Sequence, residues 1–296
     1  MRDIMAMGDA SELLNQFSAK YILYVEGPGD RTAYRQIVGA SFLVDHDFQL
    51  PPAGTGANAV RNRVREERIS SNRVFGFLDG EAAAAMGAAH KLVQCDDLLF
   101  TVEDPDLSGL IFIAAHEIEN LILSYCDVAP TIASHKPLAK MADGEADLIR
   151  KRLETLTGRF LTAAMFKYAS LHLQHKGQCV HVANTRIFAD DSLNLKQVLA
   201  GMKIVITQQL GLDWPVFVAE LFTITRAMRD KVAAVPQPAL GKERRHLRLA
   251  DGKQLLQKLR GQAGKEVEGH LLGVLARSSF AGDLCDAIRS EIALAA

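Results

Sequence analysis

Apolar positions along this chain come in two textures. Up to about residue 125 they form short runs that stop at turn residues. Tyr21–Val25 runs into Glu26-Gly27-Pro28-Gly29, Asp47–Leu50 into the turn Pro51–Gly56, and Val74–Leu78 into Asp79-Gly80. Two more runs, Leu98–Val102 and Gly109–Ala114, follow. Runs of this length, bounded by Gly, Pro and Asp, predict buried strands. Between and around them the spacing predicts helices over 8–18 (capped by Asp9 or Ser11), Thr32–Val38 with Asp30 as its N-cap, Ala59–Arg68 with Asn58 as its N-cap, and His116–Tyr125. The alanine-rich Ala82–His90 is predicted as a loop or short helix. Strand-helix alternation of this kind implies parallel pairing with right-handed crossovers.

Downstream the texture is helical: Ala146–Leu156, Phe160–His175 and Leu195–Leu210 carry long helical patterns, and a Pro/Gly-rich basic segment, Pro236–Arg248, precedes the last helices. The expected fold class is therefore α/β, a mostly parallel sheet flanked by helices and followed by a helical C-terminal half. The expected organisation is an α/β domain over 1–125 and a mainly helical domain over 126–296.

Composition adjusts this picture only slightly. A hydrophobic fraction of 48% and a charged fraction of 23% belong to an ordinary globular protein. The net charge of −1 supplies no global field for nucleic acid, so any such contact must come from local patches. The candidates are Arg61 and Arg65 in the expected helix Ala59–Arg68, and Lys242, Arg244 and Arg245 in the basic segment. The four cysteines are far apart, which speaks against a disulfide framework or zinc site. Acids close to Met1 do not suit a secretory signal, and the most apolar run, Leu110–Ala115, is too short to span a bilayer. A cytoplasmic protein without a membrane partner is expected.

The chemistry concentrates at strand ends. Glu26 follows one buried strand, and Asp79 and Glu81 follow another, at the positions where open α/β sheets hold ligands. Two carboxylates two residues apart at a strand tip would face the same way and share a cation, with Glu26 as a third ligand for Mg²⁺ or Mn²⁺. Such an ion organises and polarises a phosphodiester and activates water. The loop Gly54–Asn58 lacks the Gly-Lys-Ser/Thr of a P-loop, so ATP hydrolysis by this chain is not expected. His116, His172, His175 and His181 are read as structural; in particular, His172-x-x-His175 brings no third ligand into view.

The sequence also resembles a known family. Tyr-Val-Glu26-Gly-x-x-Asp30…Tyr34, Phe-Leu-Asp79-Gly-Glu81 and His116-Glu-Ile-Glu119-Asn120-Leu-Ile-Leu are similar to the pattern of Toprim/OLD-like nucleases of the DUF4435 group, which includes effectors of the PARIS anti-phage system. The resemblance covers roughly residues 20 to 125, with a weaker echo at Asp251-Gly-Lys-Gln-Leu-Leu256. Its Asp-x-Asp is Asp79-x-Glu81 here. It implies a Toprim fold and a metal-dependent endonuclease acting on DNA or RNA. Glu26 and Asp79 would be catalytic, Glu26, Asp79, Glu81 and Glu119 would hold the metal, and Asp30 and Asn120 would support them. It further implies a toxic defence effector controlled by a partner ABC-type ATPase and active as a homodimer. The competing expectation is a catalytically silent Toprim-derived scaffold or sensor that binds such an ATPase or a phage protein.

Overall fold

The computed structural model describes residues 20–136, 144–234, 245–261, 263–264 and 266–295. The leading helix expected over 8–18, together with Lys242 and Arg244, lies outside these residues. The fold is α/β: a five-stranded, mostly parallel sheet in the order β2-β1-β3-β5-β4, flanked by helices and followed by a helical C-terminal part. The chain sorts into two compact units, each assembled from separated stretches.

The first unit comprises the described residues up to Leu78, Thr101–Ile111, and the chain from Ser279. It holds β1 (Tyr21–Tyr24), α1 (Pro28–Phe42), β2 (His46–Gln49), α2 (Ala57–Glu67) and β3 (Val74–Leu78). β1 lies between β2 and β3 and pairs in parallel with both, Tyr21 opposite His46 on one side and Ile22 opposite Val74 on the other. Every residue of β3 is buried, as its unbroken apolar run requires. Gly76 interrupts that run for a steric reason: a Cβ there would lie 2.5 Å from Leu110 Cδ2 and 2.8 Å from Val60 Cγ1. On the sheet face, Phe77 meets Tyr34 and Phe48 edge-on at centroid distances of 5.0 and 5.6 Å.

Both expected N-caps in this unit move. α1 starts at Pro28 with Gly27 as N-cap, because proline's fixed φ suits the first helical position. Asp30 is therefore inside the first turn, where the helix dipole favours an acid. α2 starts at Ala57 with Gly56 as N-cap at φ 92°, leaving Asn58 inside the helix.

The second unit comprises Asp79–Phe100 and Phe112–Ser278. Here β4 (Leu99–Phe100) runs antiparallel to the Phe112–Ile113 end of β5 (Leu110–Ile113), with Leu99 opposite Ile113. Only two residues of the expected Leu98–Val102 strand are paired. Ala82–His90 resolves into α3 (Gly80–Ala83), one wide π-type turn (Ala84–Ala88) and the start of α4 (Ala89–Gln94). Then come α5 (Ile118–Tyr125), α6 (Val128–Ser134), α7 (Glu145–His175), α8 (Leu195–Ile204), α9 (Trp214–Ala234), α10 (Gly252–Arg260) and α11 (Glu266–Ala276). The final helix, α12 (Ser279–Ala295), belongs to the first unit.

Two expected helices, Ala146–Leu156 and Phe160–His175, are one continuous α7 of 31 residues. A mid-helix glycine costs only about 1 kcal/mol. Burial of the α7 aromatics outweighs that cost: Phe166 packs against Phe188 and Phe217 at 5.7 and 5.4 Å between centroids. The expected Leu195–Leu210 helix gives way at Val205 to a second wide turn, Val205–Gln209. The four cysteines are free. Among the described residues, no helix is long and apolar enough to cross a membrane.

Candidate metal centre

β3 ends at Leu78, and the helix α3 begins at Gly80. This overturns the period-two argument for Asp79 and Glu81, because the acids are not successive same-face residues of a strand. Asp79 is the N-cap of α3, and its Oδ1 accepts the Ala82 N–H at 2.9 Å. The turn is pinned further by the Gly80 and Glu81 amides, which donate to the Ala115 and His116 carbonyls at 2.8 and 3.1 Å. A Cβ on Gly80 would lie 2.4 Å from the Ala115 oxygen, so only glycine permits this approach.

The turn delivers Glu81 to groups from two other segments. Its Oε2 lies 2.5 Å from Lys167 Nζ on α7 and 3.6 Å from His116 Nε2. Ligand atoms of Glu81, His116 and Glu117 all lie within 4.8 Å of one another. His116 is 0% exposed. Its Nδ1 sits 2.8 Å from the Tyr168 hydroxyl, whereas its buried Nε2 has no hydrogen-bond partner. Burial, with the Lys167 ammonium nearby, holds this imidazole well below its ordinary pKa, so it is neutral. The expectation of a satisfied structural histidine therefore fails at one of its two nitrogens.

Glu117 is the N-cap of α5, which begins at Ile118 rather than at His116. Its Oε2 accepts the Lys253 N–H at 3.2 Å. Burial, reinforced by the neighbouring Glu119 charge, pushes its pKa up to about 7. Lys167 is pulled down by burial, but the Glu81 charge outweighs this and the net shift is upward, so it stays an ammonium.

Asn120 holds the arrangement together. Fully buried, it accepts the Glu117 N–H at 3.0 Å and donates to the carbonyls of Leu247 and Ala250. The His116 N–H donates to the Arg248 carbonyl at 2.7 Å, so residues 247–253 wrap the Glu117 turn. Asp251 caps α10, its Oδ1 accepting the Gln254 N–H at 3.1 Å. The Asp251-Gly-Lys echo thus belongs to this site. Glu81, Glu117, Lys167, Arg186, Asp251 and Lys253 line a cleft of about 760 Å³.

The other expected residues fall as follows. Glu26 lies two positions beyond β1 in the first unit, where its carbonyl accepts the Gly56 N–H at 2.8 Å. Asp30 is in the first turn of α1, and Arg61 and Arg65 are on α2, Arg65 being exposed. Glu119 is one residue into α5, and Glu117 is the member of that acidic pair brought to Glu81. Arg245 is corrected as a nucleic-acid contact. It is 6% exposed, and its guanidinium is committed to Asp96 at 2.6 Å and to the Val93 carbonyl at 3.1 Å.

Glu81, Glu117 and His116 fit a divalent cation. The orphaned Nε2, 3.6 Å from a carboxylate oxygen, has the spacing of two ligands of one ion. The imidazole moves preference from Mg²⁺ towards Mn²⁺ and the later transition metals. Lys167 left no signal in the sequence; His116 was expected to be structural, Glu119 was preferred to Glu117, and Asp251 stood only in the weaker echo. Asn120 three positions after Glu117, and Gln254 three after Asp251, are the helix-start spacings that could have flagged two of them. No protein-family model matches the chain, and no curated protein matches its sequence.

Proposed function

We propose that the protein is a metal-dependent phosphodiesterase acting on nucleic acid, with its ion held by Glu81, His116 and Glu117. The observation that carries this reading is the buried, unpartnered Nε2 of His116 facing Glu81, which itself lines a cleft with Glu117, Asp251, Lys167, Arg186 and Lys253. The ion, when bound, polarises a phosphodiester oxygen and lowers the pKa of a water. Lys167, Lys253 and Arg186 supply the positive charge that receives phosphate oxygens, and Lys167 also balances Glu81. Glu117 keeps a proton near neutrality in the metal-free protein, so uptake of the ion is coupled to release of that proton.

The family resemblance extends this reading. It adds Glu26 and Asp79 to the residues whose loss abolishes cleavage, and it makes the protein a defence effector restrained by an ATPase partner. The test is to incubate purified protein with Mn²⁺ or Mg²⁺ and single- and double-stranded DNA, RNA and tRNA, alone and with the partner ATPase. Cleavage that requires the metal and disappears in Glu81→Gln and Glu117→Gln supports the reading. Absence of cleavage under every condition, or unchanged cleavage in both variants, overturns it in favour of a silent scaffold.

A further inference from the structure

A second His-carboxylate cluster lies elsewhere in the second unit, on three helices. His90 is the second residue of α4, His172 is near the end of α7, and Glu220 is in the first third of α9. One ligand atom from each lies within 4.8 Å of the others. His172 Nδ1 and Glu220 Oε1 are 3.7 Å apart, each on a side chain only 12% exposed. Both of these atoms are buried without a hydrogen-bond partner. The rings of His90 and His172 meet edge-on at 5.0 Å between centroids.

An ordinary ion pair does not account for this geometry. At 3.7 Å the imidazole and carboxylate are beyond hydrogen-bond reach. Glu220 already has a cation, Lys176, on its other oxygen at 3.0 Å. The turn before His90 also packs closely against the end of α7. The wide turn Ala84–Ala88 before His90 carries Gly87 at φ 87°, where a Cβ would lie 2.7 Å from the His175 ring.

We infer that His90, His172 and Glu220 form a site for a transition-metal ion of the Zn²⁺ class, which ties α4, α7 and α9 together. Two imidazoles and one carboxylate suit Zn²⁺, Co²⁺ or Fe²⁺ and disfavour Mg²⁺ and Ca²⁺. The three protein ligands leave a coordination position for water. This assignment does not depend on the proposed phosphodiesterase activity.

The experiment titrates chelator-treated full-length protein with Co²⁺ and follows its visible d–d absorption. It is run in the Glu81→Gln/Glu117→Gln double variant, which silences the first cluster. One equivalent of Co²⁺ is expected to bind with a low-coordinate spectrum. Adding His172→Ala or Glu220→Gln should abolish the spectrum or weaken binding at least 100-fold. Far-UV circular dichroism checks folding, and His90→Asn, at a half-buried position, should give the same loss should His172→Ala not fold. No Co²⁺ uptake by the double variant, or a spectrum unchanged by His172→Ala or His90→Asn, overturns the assignment.

Discussion

The two His-carboxylate clusters of the second unit are built from the same donor types but in different company. Glu81, His116 and Glu117 sit where a strand gives way to a helix and where another helix begins, and two of them line a cleft with Lys167, Arg186 and Lys253. His90, His172 and Glu220 project from three packed helices, with Lys176 at the side. The first cluster therefore has cationic and acidic neighbours on an open cleft, and the second is enclosed between helices. Donor set alone does not fix a site's role; the companion charges and the elements presenting the ligands do.

The largest expected effect separates the clusters by activity. Glu81→Gln should lower the metal-dependent cleavage rate at least about 10³-fold, roughly 4 kcal/mol of transition-state stabilisation. Initial rates with Mn²⁺ check it, and a rate within tenfold of wild type would remove Glu81 from the chemistry.

Next comes the support of the first cluster. Asn120→Ala strands the Glu117 N–H and two carbonyls in a fully buried place and should cost about 3 kcal/mol. Urea unfolding midpoints measure this; a loss below about 1 kcal/mol would mean water takes over those bonds.

The third effect is a pH dependence. Because the folded pKa of Glu117 is raised to about 7 from 4.5, the native state binds the extra proton in that window. Its contribution is therefore lost as pH rises from about 4.5 through about 7. Glu117→Gln should thus stabilise the metal-free protein at pH 8 by about 2 kcal/mol, a value discounted for partial exposure, and make little difference at pH 4. His116 acts with the opposite sign. Its folded pKa is depressed, so its contribution is lost as pH falls below the unfolded value of about 6.5. Chemical denaturation across pH 4–9 resolves both slopes, and equal wild-type and Glu117→Gln curves at pH 8 would contradict the first.

The smallest effect lies in the first unit. Arg65→Ala, at an exposed position on α2, should weaken nucleic-acid binding by less than tenfold and lower the salt slope by about one. Fluorescence anisotropy at several salt concentrations measures it, and an unchanged slope would take α2 out of the contact surface.

Much of the fold was legible because unbroken apolar runs reveal buried strands. Val74–Leu78 has the bounds its pattern implies, and Tyr21–Val25 overshoots β1 by one residue. Helix starts were less legible. Asp30 and Asn58 are good caps by residue type, but Gly27 before Pro28 and Gly56 at φ 92° set the actual boundaries. Of the candidate site, Glu81 stood out because it follows a buried strand. Lys167, 86 positions away, left no local trace, since a lysine on a long helix is ordinarily solvated. His90, His172 and Glu220 were hidden for the same reason: their proximity is produced by helix packing, not by spacing. Glu117 was obscured by a two-residue boundary error, which placed it in the first turn beside Glu119 rather than as the residue before the helix.

Pulsed EPR of bound Mn²⁺, recorded in protein carrying His172→Gln so that the second cluster is silent, tests the first cluster most directly. Imidazole nitrogen modulation should be present and should vanish when His116→Gln is added. Modulation that survives His116→Gln, or a Mn²⁺ ion with oxygen ligands alone in the His116 protein, would contradict the site.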